Sequence, residues 1–296
     1  MLKIFSLSVV ALLLAGCAGG DSSSSTSSPY EAVPIADLEA GTQLHVLGNH
    51  TGIWRTRRQG DFRYIFNDNG PKLQRLDVTG NPNEYEAVFR NNMPGFEAFF
   101  GKAVFIMPGD GQAVSGVTTE GYEYIISRNN SDLIYAITGL FQIQTGTEAP
   151  LLQKYAHGGF VAGSHIPVDD MPTTGSANYT GDFIGYSSYV GDVTGTFEMS
   201  ADFAATADTI NVNGTIANLN GGISDLTIRA TINDEGGFDG NVFADAGTGI
   251  GNDFEAGADG AIDGKFYGPN AEEVAGTIRI HTADNYLTGA FGGSQD

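Results

Sequence analysis

Four arginines and the chain's single tryptophan are clustered in one short segment. Arg55, Arg57, Arg58 and Arg63 lie within nine residues of one another and directly follow Trp54. A guanidinium group can bind a carboxylate through two parallel hydrogen bonds, and Arg and Trp are enriched among the residues that dominate binding energies. These five residues therefore form a candidate ligand-binding site. The alternative is that the arginines form ion pairs with acidic residues of their own domain.

The rest of the sequence offers few groups for catalysis. It contains neither a G-x-S-x-G nor an H-E-x-x-H motif, and its one cysteine cannot form a metal-binding pair. His45 and His50, which precede the arginine cluster, could contact haem or a metal ion, but they are equally consistent with ordinary surface histidines. We therefore predict that the protein is not an enzyme and holds neither a cofactor nor a metal ion.

The single cysteine follows an apolar leader. An apolar run from Ile4 to Leu14 precedes the sequence Leu-Ala-Gly-Cys at residues 14–17. This ending resembles a bacterial lipobox, which implies that residues 1–16 are a signal peptide and that Cys17 is the lipid attachment site; a free or buried thiol is the alternative. Ala18, rather than Asp, follows the cysteine, which in the Gram-negative pattern implies sorting of the lipid-anchored protein to the outer membrane.

Composition and charge divide the remaining residues. Residues 17–29 are rich in Ser, so we predict a flexible tether, which either holds the folded part away from the membrane or is a plain spacer. Residues 30–170 carry a net charge of −6 and residues 171–296 one of −15, and a Pro-containing stretch from His165 to Pro172 separates these two predicted domains. The overall net charge of −21 excludes a nucleic-acid partner, since binding phosphates requires clustered positive charge.

The second domain alternates between apolar and polar residues, as in Phe197, Met199 and Ala201 against Glu198 and Ser200. We count eight such segments: 179–189, 196–203, 210–216, 226–232, 238–244, 254–266, 274–280 and 286–291. Eight antiparallel strands can close into a barrel filled by side chains, with glycines inside the strands supplying bends. A sandwich would show the same alternation. An outer-membrane barrel would also alternate, but a lipid anchor makes a second anchor redundant, so we predict a soluble barrel.

Two stretches of this domain resemble a known family. Residues 171–181, with the sequence MPTTGSANYTG, and residues 264–276, with the sequence GKFYGPNAEEVAG, resemble parts of the C-terminal barrel of transferrin-binding protein B and related surface lipoproteins, as does GAFGG at residues 289–293. The family includes binders of transferrin, lactoferrin, haem, haemoglobin and factor H. The resemblance implies a strand-rich handle domain before the barrel, which often carries the ligand contacts. We expect Glu272 and Glu273 to lie in a solvated turn, since neighbouring residues of an extended chain point to opposite faces and cannot form a catalytic pair.

In the first domain, residues 53–66 are predicted to form a β-hairpin that carries Trp54 and the arginines. The predicted fold is therefore mainly β, with a handle-like domain at residues 30–170 and an eight-stranded antiparallel barrel at residues 171–296. The predicted function is capture of an iron-bearing ligand, either an iron-binding protein or haem, for an outer-membrane transporter of the TonB-dependent type. The alternative is non-nutritional binding, adhesion or an envelope-structural role. Membrane contact is expected through the lipid anchor alone.

Overall fold

A computed structural model describes residues 32–47, 52–58, 61–67, 71–81, 83–91, 98–129, 132–144, 155–204, 209–244, 259–281 and 285–296. These residues form eighteen β-strands and three short 3₁₀ segments, which confirms the prediction of a mainly β protein. In this part of the chain, no helix has the length and apolar character that crossing a membrane requires. The predicted signal peptide, Cys17 and the predicted tether lie outside the described residues.

The first ten strands belong to the N-terminal part of the chain. They are β1 (Gln43–Leu47), β2 (Gly52–Arg58), β3 (Asp61–Asn67), β4 (Pro71–Val78), β5 (Glu84–Asn91), β6 (Ala98–Ile106), β7 (Ala113–Val117), β8 (Glu123–Arg128), β9 (Ala136–Gln144) and β10 (Tyr155–Gly163). Eight of them form one antiparallel sheet in the order β6–β5–β4–β1–β10–β9–β8–β7, and β2 pairs with β3. The sheet therefore brings together strands that are distant in sequence, such as β1, β4 and β10.

The N-terminal sheet curls around its own apolar core. Phe89, Phe141 and Phe160 are fully buried in a single cluster that draws on strands across the sheet. The two edge strands approach each other, because the backbone N–H of Thr119, just after β7, donates to the carbonyl of Lys102 in β6 at 2.9 Å. The outer face of the sheet carries charged side chains such as Arg75 and Lys102 together with exposed apolar ones such as Val104 and Ile106.

The last eight strands form a closed barrel. They are β11 (Ser176–Ser187), β12 (Gly191–Asp202), β13 (Val212–Ala217), β14 (Leu226–Ile232), β15 (Gly237–Ala244), β16 (Asp259–Tyr267), β17 (Glu273–His281) and β18 (Tyr286–Gln295). Each strand pairs with the next, and β18 pairs back with β11 from Tyr179↔Gln295 to Ser187↔Leu287. This closure confirms the predicted eight-stranded antiparallel barrel and excludes the sandwich.

The apolar face of the barrel strands points inward. Phe197, Met199 and Ala201 are buried, whereas Glu198 and Ser200 are exposed, as the alternation predicted. This orientation is opposite to that of membrane barrels, whose apolar side chains face the lipid. The expectation that Ile210 belongs to the inner face is wrong: its side chain is 57% exposed because it precedes β13 and lies outside the ladder.

Glycines inside the barrel strands make room for aromatic rings. A Cβ atom on Gly264 would lie 2.3 Å from the ring of Phe238. On Gly289, a Cβ atom would lie 2.4 Å from the ring of Phe183. Such distances leave no space for a side chain, so the rings fill the barrel interior against bare backbone. The sequence analysis assigned these glycines to bends, whereas the structure shows that they accommodate the core.

Candidate functional site

A groove on the N-terminal sheet collects basic side chains. The groove has a volume of about 810 Å³ and lies on β1, β4, β5 and β6. Its lining combines the cations of Arg75, Arg90 and Lys102 with aliphatic and glutamine side chains. Among the described residues that line it, none is acidic, although acidic residues outnumber basic ones by 35 to 14 in the whole chain. This basic groove is therefore exceptional on an acidic protein.

The strand register explains why the cations converge. Arg75, Val88 and Lys102 occupy one row across β4, β5 and β6, and Arg90 lies two rows further along β5, beyond the row of Leu73, Phe89 and Gly101. The register shifts between these rows in both strand pairs, which indicates a β-bulge or irregularity in each. Bulges bend a strand, redirect its side chains and are over-represented beside functional sites.

Two acidic side chains next to the groove act as its internal counter-ions. The Lys102 Nζ atom lies 2.7 Å from Glu86 Oε1, and Arg75 Nη2 lies 3.8 Å from the same oxygen. Arg75 Nε lies 2.8 Å from Asp77 Oδ2. The side chains of Arg75 and Lys102 are 41% and 43% exposed, and ion pairs at such exposure contribute only about 0–1 kcal/mol. A carboxylate from a partner can therefore compete with Glu86 at little cost.

The predicted arginine hairpin is present and lies beside this region. Strands β2 and β3 pair antiparallel from Gly52↔Asn67 to Arg58↔Asp61, and the register places Trp54 opposite Ile65. Strand β2 contacts β10 and also β4, the strand that carries Arg75. The backbone thus brings the two basic segments near each other. The hairpin side chains lie outside the described part of the structure, so binding by Trp54, Arg55, Arg57, Arg58 and Arg63 stays a prediction.

No sequence motif predicted the groove cations Arg75, Arg90 and Lys102, which are far apart in sequence.

A second cavity, of about 500 Å³, is acidic. Its lining includes Asp234, Glu235, Asp239 and Asp263, together with Lys265. The Lys265 side chain is almost fully buried, and its Nζ atom donates to the Glu235 carbonyl oxygen at 2.9 Å. Within the described part of the chain, no group of three or more His, Cys, Asp or Glu side chains is arranged to hold a metal ion. We assign no ligand to this cavity.

The barrel is joined to the N-terminal sheet through a buried carboxylate. Glu273, the first residue of β17, is only 3% exposed and accepts hydrogen bonds from the backbone N–H groups of Ile134 at 2.5 Å and Tyr135 at 2.9 Å. Burial raises the pKa of Glu273, while hydrogen bonds from the backbone of residues 134–136 oppose that rise. The expected solvated turn is therefore wrong for Glu273, although the neighbouring Glu272 does accept hydrogen bonds from Asn270 in the turn.

Three further contacts reinforce this interface. Gly159 of β10 lies against the barrel backbone so closely that a Cβ atom on it would be 2.2 Å from the Gly289 carbonyl oxygen. The His157 ring stacks on the Tyr186 ring with 3.8 Å between centroids. The Asn129 side-chain amide donates to the Asp182 carbonyl oxygen at 2.7 Å. The N-terminal sheet and the barrel therefore present their surfaces in a defined relative orientation.

The interface residues belong to the same stretch that carried the family resemblance. Tyr267 and Ala275, on either side of the turn before Glu273, are buried in a small apolar cluster with Leu133 and Val161 of the N-terminal sheet. Residues 171–295, which include the whole barrel, match the family model described as the C-lobe and N-lobe β-barrels of Tf-binding protein B. The barrel is therefore similar to the barrels of transferrin-binding protein B. That description names a binding protein and not an enzyme, in agreement with the sequence analysis.

Relatives outside the family model are more distant. An uncharacterized protein of Haemophilus influenzae is 35% identical over 130 residues, which cover 41% of this chain and 38% of that protein. A double mutant of transferrin-binding protein B from Haemophilus parasuis Hp5 is similar in structure, with a TM-score of 0.49, 18% identity and coverage of 76% of this chain and 54% of the other. Isotype 1 transferrin-binding protein B from Neisseria meningitidis is also similar in structure, with a TM-score of 0.46 and 19% identity. The match covers 83% of this chain and 43% of the other.

The chain therefore spans 38% of its curated relative and about half of these two transferrin-binding protein B structures. Because the structural similarities are weak, the likeness of the barrel to transferrin-binding protein B rests on the match at residues 171–295.

Proposed function

We propose that this protein is a lipid-anchored surface protein of the outer membrane that binds a protein ligand through its N-terminal domain. The ligand class that we propose is iron-bearing, namely a transferrin-type iron-binding protein or a haem protein, which is passed to an outer-membrane transporter. The observation that carries the proposal is the basic groove beside the arginine hairpin, on a domain attached to a transferrin-binding protein B-type barrel. Similar proteins are named for binding transferrin.

The charge distribution supports the N-terminal domain as the binding side. The barrel is strongly acidic, with 3 basic and 18 acidic residues between positions 171 and 296, and would repel an acidic partner at long range. The Debye length at physiological ionic strength is only about 8 Å, so a local cluster of cations can still attract such a partner. The rigid attachment through Glu273 keeps this cluster in a fixed orientation, which lowers the entropy lost on binding.

The first test replaces the candidate residues of the hairpin. Changing Trp54, Arg55, Arg57 and Arg58 together to Ala is expected to weaken binding to immobilised iron-loaded transferrin, lactoferrin or haemoglobin by more than about 2 kcal/mol, because Trp and Arg anchors dominate such interfaces. Biolayer interferometry with residues 18–296 measures this change. Arg229→Ala, which removes an exposed cation of the barrel, serves as the control and should leave the affinity unchanged.

The outcomes separate the two candidate functions. Binding of one of these proteins that the hairpin variant loses supports capture of an iron-bearing ligand. Unchanged affinity of a folded hairpin variant would show that the hairpin is ordinary structure. If none of the three proteins, nor haemin, binds the unmodified chain, iron capture is wrong and non-nutritional surface binding is the better assignment.

The second test concerns the lipid anchor. Cys17→Ser is expected to abolish incorporation of a tagged fatty acid and to release the protein into the soluble fraction, because the thiol is the atom to which the lipid is attached. Metabolic labelling of producing cells measures incorporation, and Ser22→Ala controls for changes near the processing site. Labelling of the Cys17→Ser variant at the normal level would contradict the proposed anchor.

A further inference from the structure

We propose that the basic groove binds an extended acidic segment of a protein partner, with carboxylates at alternate positions. The inference rests on the proposed function in one respect only, namely that the N-terminal domain is the binding side. The cations involved are Arg75, Arg90 and Lys102, and the groove is also lined by the apolar residues Leu44, Val46 and Val88. This site is separate from Trp54 and the arginines of the hairpin.

The spacing of the cations favours a segment of chain over a single small anion. Arg75 and Lys102 lie on the same row but two strands apart, which places their Cα atoms about 10 Å from each other at ordinary strand separation. Arg90 lies two residues beyond Val88, the β5 residue of that row, so its Cα atom is about 7 Å from that of Val88. One carboxylate can contact both Arg75 and Lys102, as Glu86 Oε1 does, but Arg90 lies further along β5 and needs a second one. Alternate residues of an extended peptide are about 7 Å apart and can supply both carboxylates.

The lining of the groove matches one face of such a peptide. Carboxylates at alternate positions would meet the guanidinium and ammonium groups, which form short charge-assisted hydrogen bonds with them. Val88, which is only 5% exposed, lies between Arg75 and Lys102 in the same row, so the peptide backbone would pass over it while the residues between the carboxylates point away from the sheet. The volume of about 810 Å³ is also in the range of sites that enclose an organic ligand rather than a single ion.

Glu86 occupies the position that a partner carboxylate would take. Its Oε1 atom lies 2.7 Å from Lys102 Nζ and 3.8 Å from Arg75 Nη2, so both cations are partly neutralised in the free protein. Binding of an acidic segment requires that these two cations exchange Glu86 for a carboxylate of the partner. Removal of the Glu86 charge should therefore strengthen binding, whereas removal of a cation should weaken it. A purely structural ion pair would not give opposite effects on binding when its acidic and its basic member are removed.

The test uses two labelled peptides and residues 18–296 of the protein. The acidic peptide is fluorescein-Ser-Glu-Val-Glu-Val-Glu-Ser, and the neutral control peptide has Gln in place of each Glu. Fluorescence anisotropy at physiological ionic strength is expected to show at least tenfold tighter binding of the acidic peptide. Arg90→Gln with Lys102→Gln should weaken its binding at least tenfold, and Glu86→Gln should strengthen it at least threefold. Arg229→Gln, which removes one positive charge from the barrel, should change the affinity less than twofold.

Three results would overturn the inference. The first is equal binding of the two peptides, and the second is an effect of Arg229→Gln as large as that of the groove double variant. The third is complete competition by inorganic phosphate at a concentration equal to that of the peptide, which would assign the groove to a small anion. Circular dichroism confirms that each variant is folded. The inference alone is wrong if the two peptides bind equally and the groove double variant still captures an iron protein. The proposed function alone is wrong if the acidic peptide binds but no iron protein is captured.

Discussion

Glu273→Ala is expected to lower the free energy of unfolding by about 3 kcal/mol. The substitution removes the acceptor of the Ile134 and Tyr135 backbone N–H groups, which lie at the interface between the N-terminal sheet and the barrel. A buried donor left without an acceptor costs about 1–3 kcal/mol, and more than one is affected here. Urea unfolding, followed by circular dichroism and by tryptophan fluorescence, measures the change.

The adjacent residue provides a matched control. Glu272→Ala removes a carboxylate of the same size from the neighbouring position, but Glu272 accepts hydrogen bonds from Asn270 within an exposed turn. We expect it to change the unfolding free energy by less than about 1 kcal/mol, which is the usual scale of such hydrogen bonds. Equal effects of the two substitutions would mean that the contact of Glu273 with residues 134 and 135 does not hold the two parts together.

The effect of Glu273 should also depend on pH in a defined direction. Burial raises the pKa of its carboxyl group above the ordinary value of 4.5 in the folded protein. A raised pKa in the folded state means that the associated stability is fully present below the unfolded-state pKa and is lost as the pH rises through the folded-state pKa. The difference between the unmodified protein and Glu273→Ala should therefore shrink as the pH increases from 4 to 8. A difference that grows over this interval would contradict the dominance of burial.

Gly159→Ala is the second substitution with a large expected effect. Its Cβ atom would lie 2.2 Å from the carbonyl oxygen of Gly289 and 2.5 Å from its carbonyl carbon. Both groups are backbone, so no rotamer change can relieve the contact and the two parts must separate locally. We expect a loss of at least 2 kcal/mol in the free energy of unfolding, measured by urea denaturation.

Gly80→Ala tests whether this loss is specific to the interface. A Cβ atom on Gly80 meets no other atom within 4 Å, and its φ angle is not positive. Replacing glycine by alanine at such a position is neutral or stabilises a protein by up to about 1 kcal/mol, since it restricts the unfolded chain. If Gly159→Ala is as stable as Gly80→Ala, the close approach of the two backbones is not a feature of the protein in solution.

The barrel could be predicted from the sequence because its information is local. Period-two alternation, as in Phe197 to Ala201, specifies which side chains face inward, and a one-residue shift would expose all of them. The alternation left closure open, since a sandwich produces the same pattern. Closure was decided by the pairing of β18 with β11, two strands about a hundred residues apart.

The arginine hairpin was also a local prediction, since two neighbouring strands and a short turn suffice to form it. The basic groove was not. Arg75, Arg90 and Lys102 are separated by 12 or more residues, and only the pairing of β4, β5 and β6 and the shifts in their register place them together. No sequence signal distinguishes these cations from ordinary exposed residues of a strand.

Glu273 shows most clearly what the sequence determined and what the tertiary structure decided. The alternation of an extended chain correctly separates Glu272 from Glu273, so that the two carboxylates point to opposite faces. It does not say which face is covered. Glu273 is buried because the backbone N–H groups just before β9 reach its carboxylate, and one of them, on Tyr135, is 138 residues away in sequence. Strand periodicity is a property of neighbouring residues, whereas burial and charge pairing depend on surfaces that meet only after both domains have folded.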